Sequence, residues 1–121
     1  MTAQSIRIFY HSDVDGIFSA ILYSKLLVDT GALKIKFKLS SVNYHLKDWQ
    51  LTDLKTLYNN EQLVVVDFLY HPQVDFWWDH HQSGLGTFTL PDVKVPGRYD
   101  PTAPSCAQVI FDTPGREKFK D

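Results

Sequence analysis

The chain has 121 residues, of which 44% are hydrophobic and 21% charged, so it has the composition of an ordinary globular protein and the length of one domain. Its formal net charge of −2 argues against a dedicated duplex-DNA-binding protein, which usually has a basic surface, although a short nucleotide substrate is compatible with it. No apolar run approaches the ~18 residues of a membrane span, and a single cysteine, Cys106, excludes an internal disulfide. We therefore expect a cytoplasmic protein with no membrane partner.

Apolar periodicity predicts alternating strands and helices. A helical pattern at 14–29 is followed by Gly31, a typical helix stop. The strict lysine/apolar alternation at 34–40 predicts an edge strand whose lysines resist pairing with other chains, and the uniformly apolar run at 63–66 predicts a central parallel strand buried on both faces. In chain order, the predicted elements are a strand at 5–10, a helix at 14–29, a strand at 34–40, a helix at 51–60 with Thr52 as its candidate cap, strands at 63–66 and 74–78, an ordered loop at 82–101, and a short helix from 102–105 to Phe111.

This alternation is typical of an α/β fold, with a mostly parallel sheet flanked by helices in three layers. The strand at 74–78 is the least constrained element, because only six residues separate Asp67 from Val74, too few for a crossover helix. An extended crossover could still return the chain, since each residue spans ~3.3–3.6 Å.

Carboxylate and imidazole side chains follow three of the predicted strands. In open α/β sheets, ligands bind outside the carboxyl ends of the strands, so these groups are expected to share one edge. Without a thiolate, the set favours Mn²⁺ or Mg²⁺ and is compatible with Fe²⁺, Co²⁺ or Zn²⁺; its size suits two ions ~3.5–4 Å apart. The candidate ligands are His11, Asp13, Asp15, Asp67, Asp79, His80 and His81.

Each candidate also has an ordinary structural interpretation. Asp13 or Asp15 alone would cap the helix at 14–29, and Asp67 alone could be a turn residue, although a carboxylate following buried residues needs a partner. His80 and His81 alone could belong to a surface loop. The conjunction at three strand ends favours the metal site. His45 and His71 are expected to have structural or surface roles, and Trp77 and Trp78 to pack in the core or at its rim. Gly16 is expected to keep the start of the helix narrow, so that backbone or substrate can approach closely.

Three motifs resemble, in order, the first three motifs of the DHH phosphoesterase family. They are HSDVDG at 11–16, VVVDF at 64–68 and DHH at 79–81, and YDPTAPSCAQVIF at 99–111 resembles the segment that follows them. The resemblance extends over about residues 6–111. The family includes single-strand DNA exonucleases, oligoribonucleases, cyclic-dinucleotide phosphodiesterases, exopolyphosphatases and inorganic pyrophosphatases.

The resemblance implies a hydrolase that cleaves phosphodiester bonds of short single-stranded oligonucleotides or related phosphate-containing molecules. Two Mn²⁺ ions and a hydroxide bridging them would attack phosphorus. By this resemblance, His11 and Asp13 would bind the first ion, Asp15 and His80 would bind the second, and Asp67 would bridge the two. His81 would contact the substrate phosphate and the leaving oxygen, and Asp79 would support the histidines.

The chain also departs from the family pattern. Members carry a fourth motif well downstream of DHH, with an Asp that ligates the second metal, and Asp112 in FDTPG comes too soon to be that residue. We therefore expect residues 1–121 to be a single, incomplete DHH domain without the C-terminal substrate-binding domain, with weak occupancy of the second site and low activity.

Three other functions compete with a phosphodiesterase. A pyrophosphatase or exopolyphosphatase would use the same metals on phosphoanhydrides, and a non-catalytic metal- or nucleotide-binding module would keep only the fold. A flavodoxin-like binding protein would need a Gly-, Ser- or Thr-rich phosphate cradle after the first strand. HSDVDG places carboxylates there instead, which repel phosphate unless cations lie between.

Overall fold

The computed structural model describes residues 4–29, 35–43 and 48–112. In chain order, the elements are β1 (Gln4–His11), α1 (Val14–Asp29), β2 (Ile35–Val42), a 3-10 turn (Trp49–Leu51), α2 (Leu54–Leu57), β3 (Gln62–Val66), β4 (Phe76–Asp79), a second 3-10 turn (Leu90–Asp92), β5 (Gly97–Tyr99) and α3 (Cys106–Phe111). Within the described ranges, the strands form one five-stranded sheet in the order β2-β1-β3-β4-β5, and every pairing is parallel. The predicted α/β class with a parallel sheet is confirmed.

The strand register brings the candidate ligands to one edge. Tyr10 of β1 pairs with Val66 of β3, and Val66 pairs with Trp78 of β4. The residues directly after this row are His11, Asp67 and Asp79. Because the three strands are parallel and aligned, they deliver these residues to the same end of the sheet.

Both faces of the sheet carry an apolar core. Alternate residues of each strand point to opposite faces, so the central strand β3 contributes Val64 and Val66 to one core and Leu63 and Val65 to the other. The first core is completed by α1 and α3, and the second by Trp49, Leu54 and the aromatic residues after β3. The prediction that this strand is buried on both faces is confirmed.

The chain passes from β3 to β4 without a helix. Its crossover is fixed by indole donors, since Trp77 Nε1 donates to the Phe68 carbonyl at 2.8 Å and Trp49 Nε1 donates to the Leu69 carbonyl at 2.9 Å. The Phe68 side chain is buried in the second core, so the extended segment is a packed part of the fold. The predicted strand at 74–78 exists, displaced to Phe76–Asp79.

Two predicted elements differ from the structure. The helix predicted at 51–60 is wrong in length, because α2 is a single turn capped by Asp53 and not by Thr52; the Asp53 carboxylate accepts the Thr56 N–H at 3.3 Å. The segment predicted as loop at 82–101 contains β5, a three-residue strand that pairs with β4. The packing of Tyr99 on Trp77, with ring centroids 5.0 Å apart, stabilises this short strand.

The edge position of β2 is confirmed, although its lysines are not equivalent. Lys36 is exposed, whereas Lys38 forms an ion pair with Glu61 at 3.2 Å. Glu61 also accepts the Arg7 Nε–H at 2.9 Å, so it links β1, β2 and the start of β3. Lys34 lies outside the described residues.

Helix α1 has the predicted bounds but only part of its apolar surface is buried. Ala20 and Leu27 pack into the first core, whereas Ile17, Ile21 and Val28 are 47%, 58% and 55% exposed. The helix therefore leaves an apolar face uncovered by the described part of the chain.

Gly16 in the first turn of α1 is expected to be intolerant of a side chain. A Cβ at this position would lie 1.8 Å from the His11 carbonyl oxygen, a backbone atom that cannot move without moving the turn that carries Asp13 and Asp15. Gly16→Ala should therefore destabilise the fold by roughly 1–3 kcal/mol, although alanine is the better helix former. Thermal unfolding measures this, with the exposed Lys25→Ala as a control in the same helix. An unchanged or raised melting temperature would contradict the close approach.

Candidate metal centre

Two overlapping groups of side chains could each hold a cation. In each group, one ligand atom per residue lies within 4.8 Å of the others. The first group is His11, Asp67 and His81, and the second is Asp15, Asp67 and His80. Five of the seven predicted residues are thus brought together, and Asp67 is shared, which is the arrangement that a bridging carboxylate requires.

Asp67 is held in an unusual conformation at the centre of the site. Its φ angle of 60° is the only positive value among the described non-glycine residues, and such a conformation costs free energy that the surrounding structure must supply. The Asp67 N–H donates to the Trp78 carbonyl at 2.9 Å, so β4 fixes the turn. This strained turn directs the carboxylate between the two groups.

The Asp67 carboxylate is buried and unsatisfied. The residue is 0% exposed, and in the described part of the chain neither oxygen has a hydrogen-bonding partner. Burial, followed by the nearby charges of Asp15 and Asp13, raises the pKa of Asp67 to about 9. A buried carboxylate without a hydrogen bond is costly, and a divalent cation would satisfy both oxygens and reverse the pKa shift. The residues present therefore fit a metal ion.

His81 is oriented from behind by Asp79. Its Nδ1 atom lies 2.7 Å from Asp79 Oδ1, and the Asp79 side chain is fully buried. The hydrogen bond to Asp79 raises the pKa of His81, so the imidazole tends to keep a second proton. The Tyr99 hydroxyl also donates to the His81 carbonyl at 2.7 Å. The predicted supporting role of Asp79 is consistent with this geometry, whereas Tyr99 was not anticipated.

His80 faces the second group. Its Nε2 atom lies 3.1 Å from Asp15 Oδ2 and 3.3 Å from Asp67 Oδ1. The side chains are thus close enough to bind one ion together after small adjustments.

Asp13 lies at the edge of the first group and takes part in two interactions. Its Oδ2 atom is 3.0 Å from His11 Nδ1, and its Oδ1 atom accepts the Gly16 N–H at 2.8 Å. Asp13 therefore caps α1, which is its ordinary structural role, in addition to its predicted role as a metal ligand. The geometry groups His81 with His11 and Asp67, so the assignment of Asp13 to the first ion stays a prediction.

The residues set aside in the sequence have structural positions where they are described. His71 is buried, with Nε2 2.8 Å from the Thr52 carbonyl and Nδ1 accepting the Gln73 N–H. Asp112 is exposed at the end of α3, accepts from the Gln108 side chain and belongs to neither group. His45 lies outside the described residues.

The loop before α3 and the helix itself contribute supports that were not predicted. The Ala103 carbonyl contacts His80. The N–H groups of Cys106 and Ala107 donate to Asp15. Because these contacts use backbone atoms, side-chain identity carries no direct signal for them; the only sequence cue is the Ser105-x-x-Gln108 spacing, which is typical of a helix start.

Among the described residues, no helix combines the length and the apolar character needed to cross a membrane. Compared with protein-family models, with curated proteins and with solved structures, the chain shows no significant match to any of them.

Proposed function

We propose that the protein is a divalent-metal-dependent phosphoesterase, with Mn²⁺ as the preferred ion and phosphodiester bonds of short oligonucleotides or related nucleotides as its substrates. The observation that carries the proposal is the buried Asp67 carboxylate, which lacks a hydrogen bond from the described residues and is shared by two His/Asp groups. The order of the motifs HSDVDG, VVVDF and DHH supports the same proposal through their resemblance to DHH phosphoesterases.

The proposed ligands divide around Asp67. His11 and Asp13 would hold one ion, Asp15 and His80 the other, and Asp67 would contact both. When bound, the ions would activate water as the nucleophile and neutralise charge on the phosphate. The carboxylates around Asp67 would repel a phosphate ester in their absence, so cation binding must come first.

His81 is proposed to act on the substrate. Its Nδ1 atom lies 2.7 Å from Asp79 Oδ1, so the contact with substrate is proposed for the other ring nitrogen, Nε2. Because Asp79 raises the pKa of His81, the ring would carry a proton that it can donate to a phosphate oxygen or to the leaving oxygen. The buried Asp79 would hold the ring in place during that transfer.

Hydrolysis assays with Mn²⁺ test this proposal. We expect the chain to cleave a dinucleotide and to lose this activity in EDTA. We also expect it to cleave the dinucleotide in preference to inorganic pyrophosphate. Preferential cleavage of pyrophosphate would indicate a phosphoanhydride hydrolase, and no turnover by a chain that binds Mn²⁺ would indicate a binding module.

His81→Gln separates a substrate role from a ligand role. We expect this variant to lose at least ~100-fold in turnover while calorimetry still finds the metal stoichiometry of the unmodified chain. Gln82→Ala, at the exposed neighbouring position, is the control and should leave both quantities unchanged. Loss of one metal site in His81→Gln would instead make His81 a ligand with His11 and Asp67.

A further inference from the structure

One short segment contacts both ligands that complete the second group. We call residues 100–107, which lead into α3 and form its first turn, the α3 clamp. The Ala103 carbonyl lies 3.2 Å from His80 Nδ1. The Cys106 N–H donates to Asp15 Oδ2 at 2.9 Å, and the Ala107 N–H donates to Asp15 Oδ1 at 3.2 Å. His80 and Asp15 come from different strand ends, so the clamp is the element they have in common.

These contacts prepare both side chains to bind a cation. A hydrogen bond from Nδ1 of His80 to the Ala103 carbonyl holds the ring with its Nε2 atom directed toward Asp15 and Asp67, the orientation that a metal ligand requires. Asp15 accepts two backbone N–H groups, which hold both of its oxygens in place and leave lone pairs available for an ion. The clamp therefore orients both ligands through hydrogen bonds to its backbone.

Two side chains hold the clamp itself in shape. Asp100 Oδ1 accepts the Thr102 N–H at 2.9 Å and the Thr102 hydroxyl at 2.6 Å, which closes the turn that presents Ala103. Ser105 is the N-cap of α3, and its hydroxyl accepts the Gln108 N–H at 3.1 Å. The clamp is also tied to β4, because the Asp100 N–H donates to the Asp79 carbonyl at 3.0 Å.

The first group has other supports. His81 is held by Asp79 and Tyr99, and His11 lies beside Asp13 at the end of β1. A weakened clamp should therefore disturb the two groups unequally.

We infer that Ser105 and Asp100 are positioning residues for the second cation site, acting through the backbone of the α3 clamp on Asp15 and His80. The inference rests on the proposed metal centre. It predicts that a change at a residue that touches no ion lowers the affinity of one site and leaves the other intact.

Mn²⁺ titration calorimetry of Ser105→Ala is the first test. We expect the affinity of one of two sites to fall by about 10-fold or more, which is typical when a residue supporting a metal ligand is removed, while the other site changes by less than about 2-fold. Ser105→Thr, which keeps the capping oxygen, should restore binding. Thr89→Ala removes a comparable side-chain interaction at the start of the distant 3-10 turn Leu90–Asp92 and should change neither site.

A double-mutant cycle identifies the affected site. In a His80→Gln background, Ser105→Ala should have little further effect, because the second site is already impaired; in a His11→Gln background it should keep its full effect. Asp100→Ala, which opens the other turn of the clamp, should reproduce the selective loss and decides the question if Ser105→Ala fails to fold.

The outcomes distinguish the clamp from the metal centre. Equal weakening of both sites, or unchanged affinities in both Ser105→Ala and Asp100→Ala, would overturn the positioning role while leaving the metal centre in place. Binding of fewer than two ions by the unmodified chain would contradict the two-ion centre on which the inference rests.

Discussion

Replacing Asp67 with asparagine is expected to weaken cation binding strongly at both sites. The Asp67 carboxylate belongs to both groups and supplies the negative charge that lies between them. An asparagine keeps the size of the side chain but removes that charge and one acceptor oxygen. Mn²⁺ titration calorimetry should therefore detect a loss of at least ~100-fold in affinity at each site. Changing a residue that only supports a ligand already lowers metal affinity by about 10- to 100-fold, so the loss of a ligand itself should reach at least the top of that range.

Asp53→Asn provides a matched control for this experiment. Asp53 is an exposed N-cap remote from the two groups, and asparagine caps helices as well as aspartate does. In the Asp53→Asn variant, the Mn²⁺ affinities of both cation sites should equal those of the unmodified chain. If Asp67→Asn retained one site at full affinity, the carboxylate would not bridge two ions.

The second large effect concerns the stability of the metal-free chain, which should fall with rising pH because of Asp67. The pKa of Asp67 is raised to about 9 in the folded chain, mainly by burial, whereas an unfolded aspartate has a pKa near ~3.9. Between these values the folded state binds more protons than the unfolded state, so the free energy of unfolding decreases as pH increases. The contribution of protonated Asp67 is fully present below about pH 4 and is lost as pH rises through about 9.

Asp67→Asn should remove this dependence. In EDTA at pH 8 the variant is expected to be more stable than the unmodified chain by roughly 1–3 kcal/mol, because asparagine is neutral in both states, whereas Asp67 is ionised in the unfolded chain and must take up a proton to be buried. Urea unfolding at several pH values measures the difference between the two proteins. With saturating Mn²⁺ the order should reverse, because only the unmodified chain gains binding free energy in the folded state. Parallel pH profiles for the two proteins would contradict the shifted pKa.

These two expectations have one physical origin. The folded chain keeps a carboxylate in a buried position and in a strained backbone conformation, where it weakens the metal-free protein. Such a residue is tolerated when a ligand satisfies it, which is why buried titratable groups with shifted pKa values favour a functional interpretation.

Much of the fold could be predicted from local patterns. The bounds of α1, the alternation at β2 and the uniformly apolar run of β3 depend on the periodicity of nearby side chains. The parallel arrangement follows because helical segments separate the first strands. The ligand candidates were found for a related reason, since polar residues directly after apolar strands must meet at one edge of a parallel sheet.

Other features required the tertiary structure, because they depend on contacts between distant parts of the chain. The strand β5 has three residues and exists through its pairing with β4 and the stacking of Tyr99 on Trp77. The start of α2 is fixed in part by Gln73, whose side chain accepts the Leu54 N–H at 2.7 Å. Neither contact has a local sequence pattern.

The sequence by itself determined the fold class and which residue types gather at the edge of the sheet, since both follow from short-range periodicity and strand ends. Only the tertiary structure decided how those residues are used. It assigned Asp67 to both groups, brought His81 beside His11, and joined Asp15 to backbone donors of Cys106 and Ala107 that lie more than ninety positions away. The pKa of Asp67 was likewise decided there, because burial and neighbouring charge are properties of the packed chain and not of the sequence around one residue.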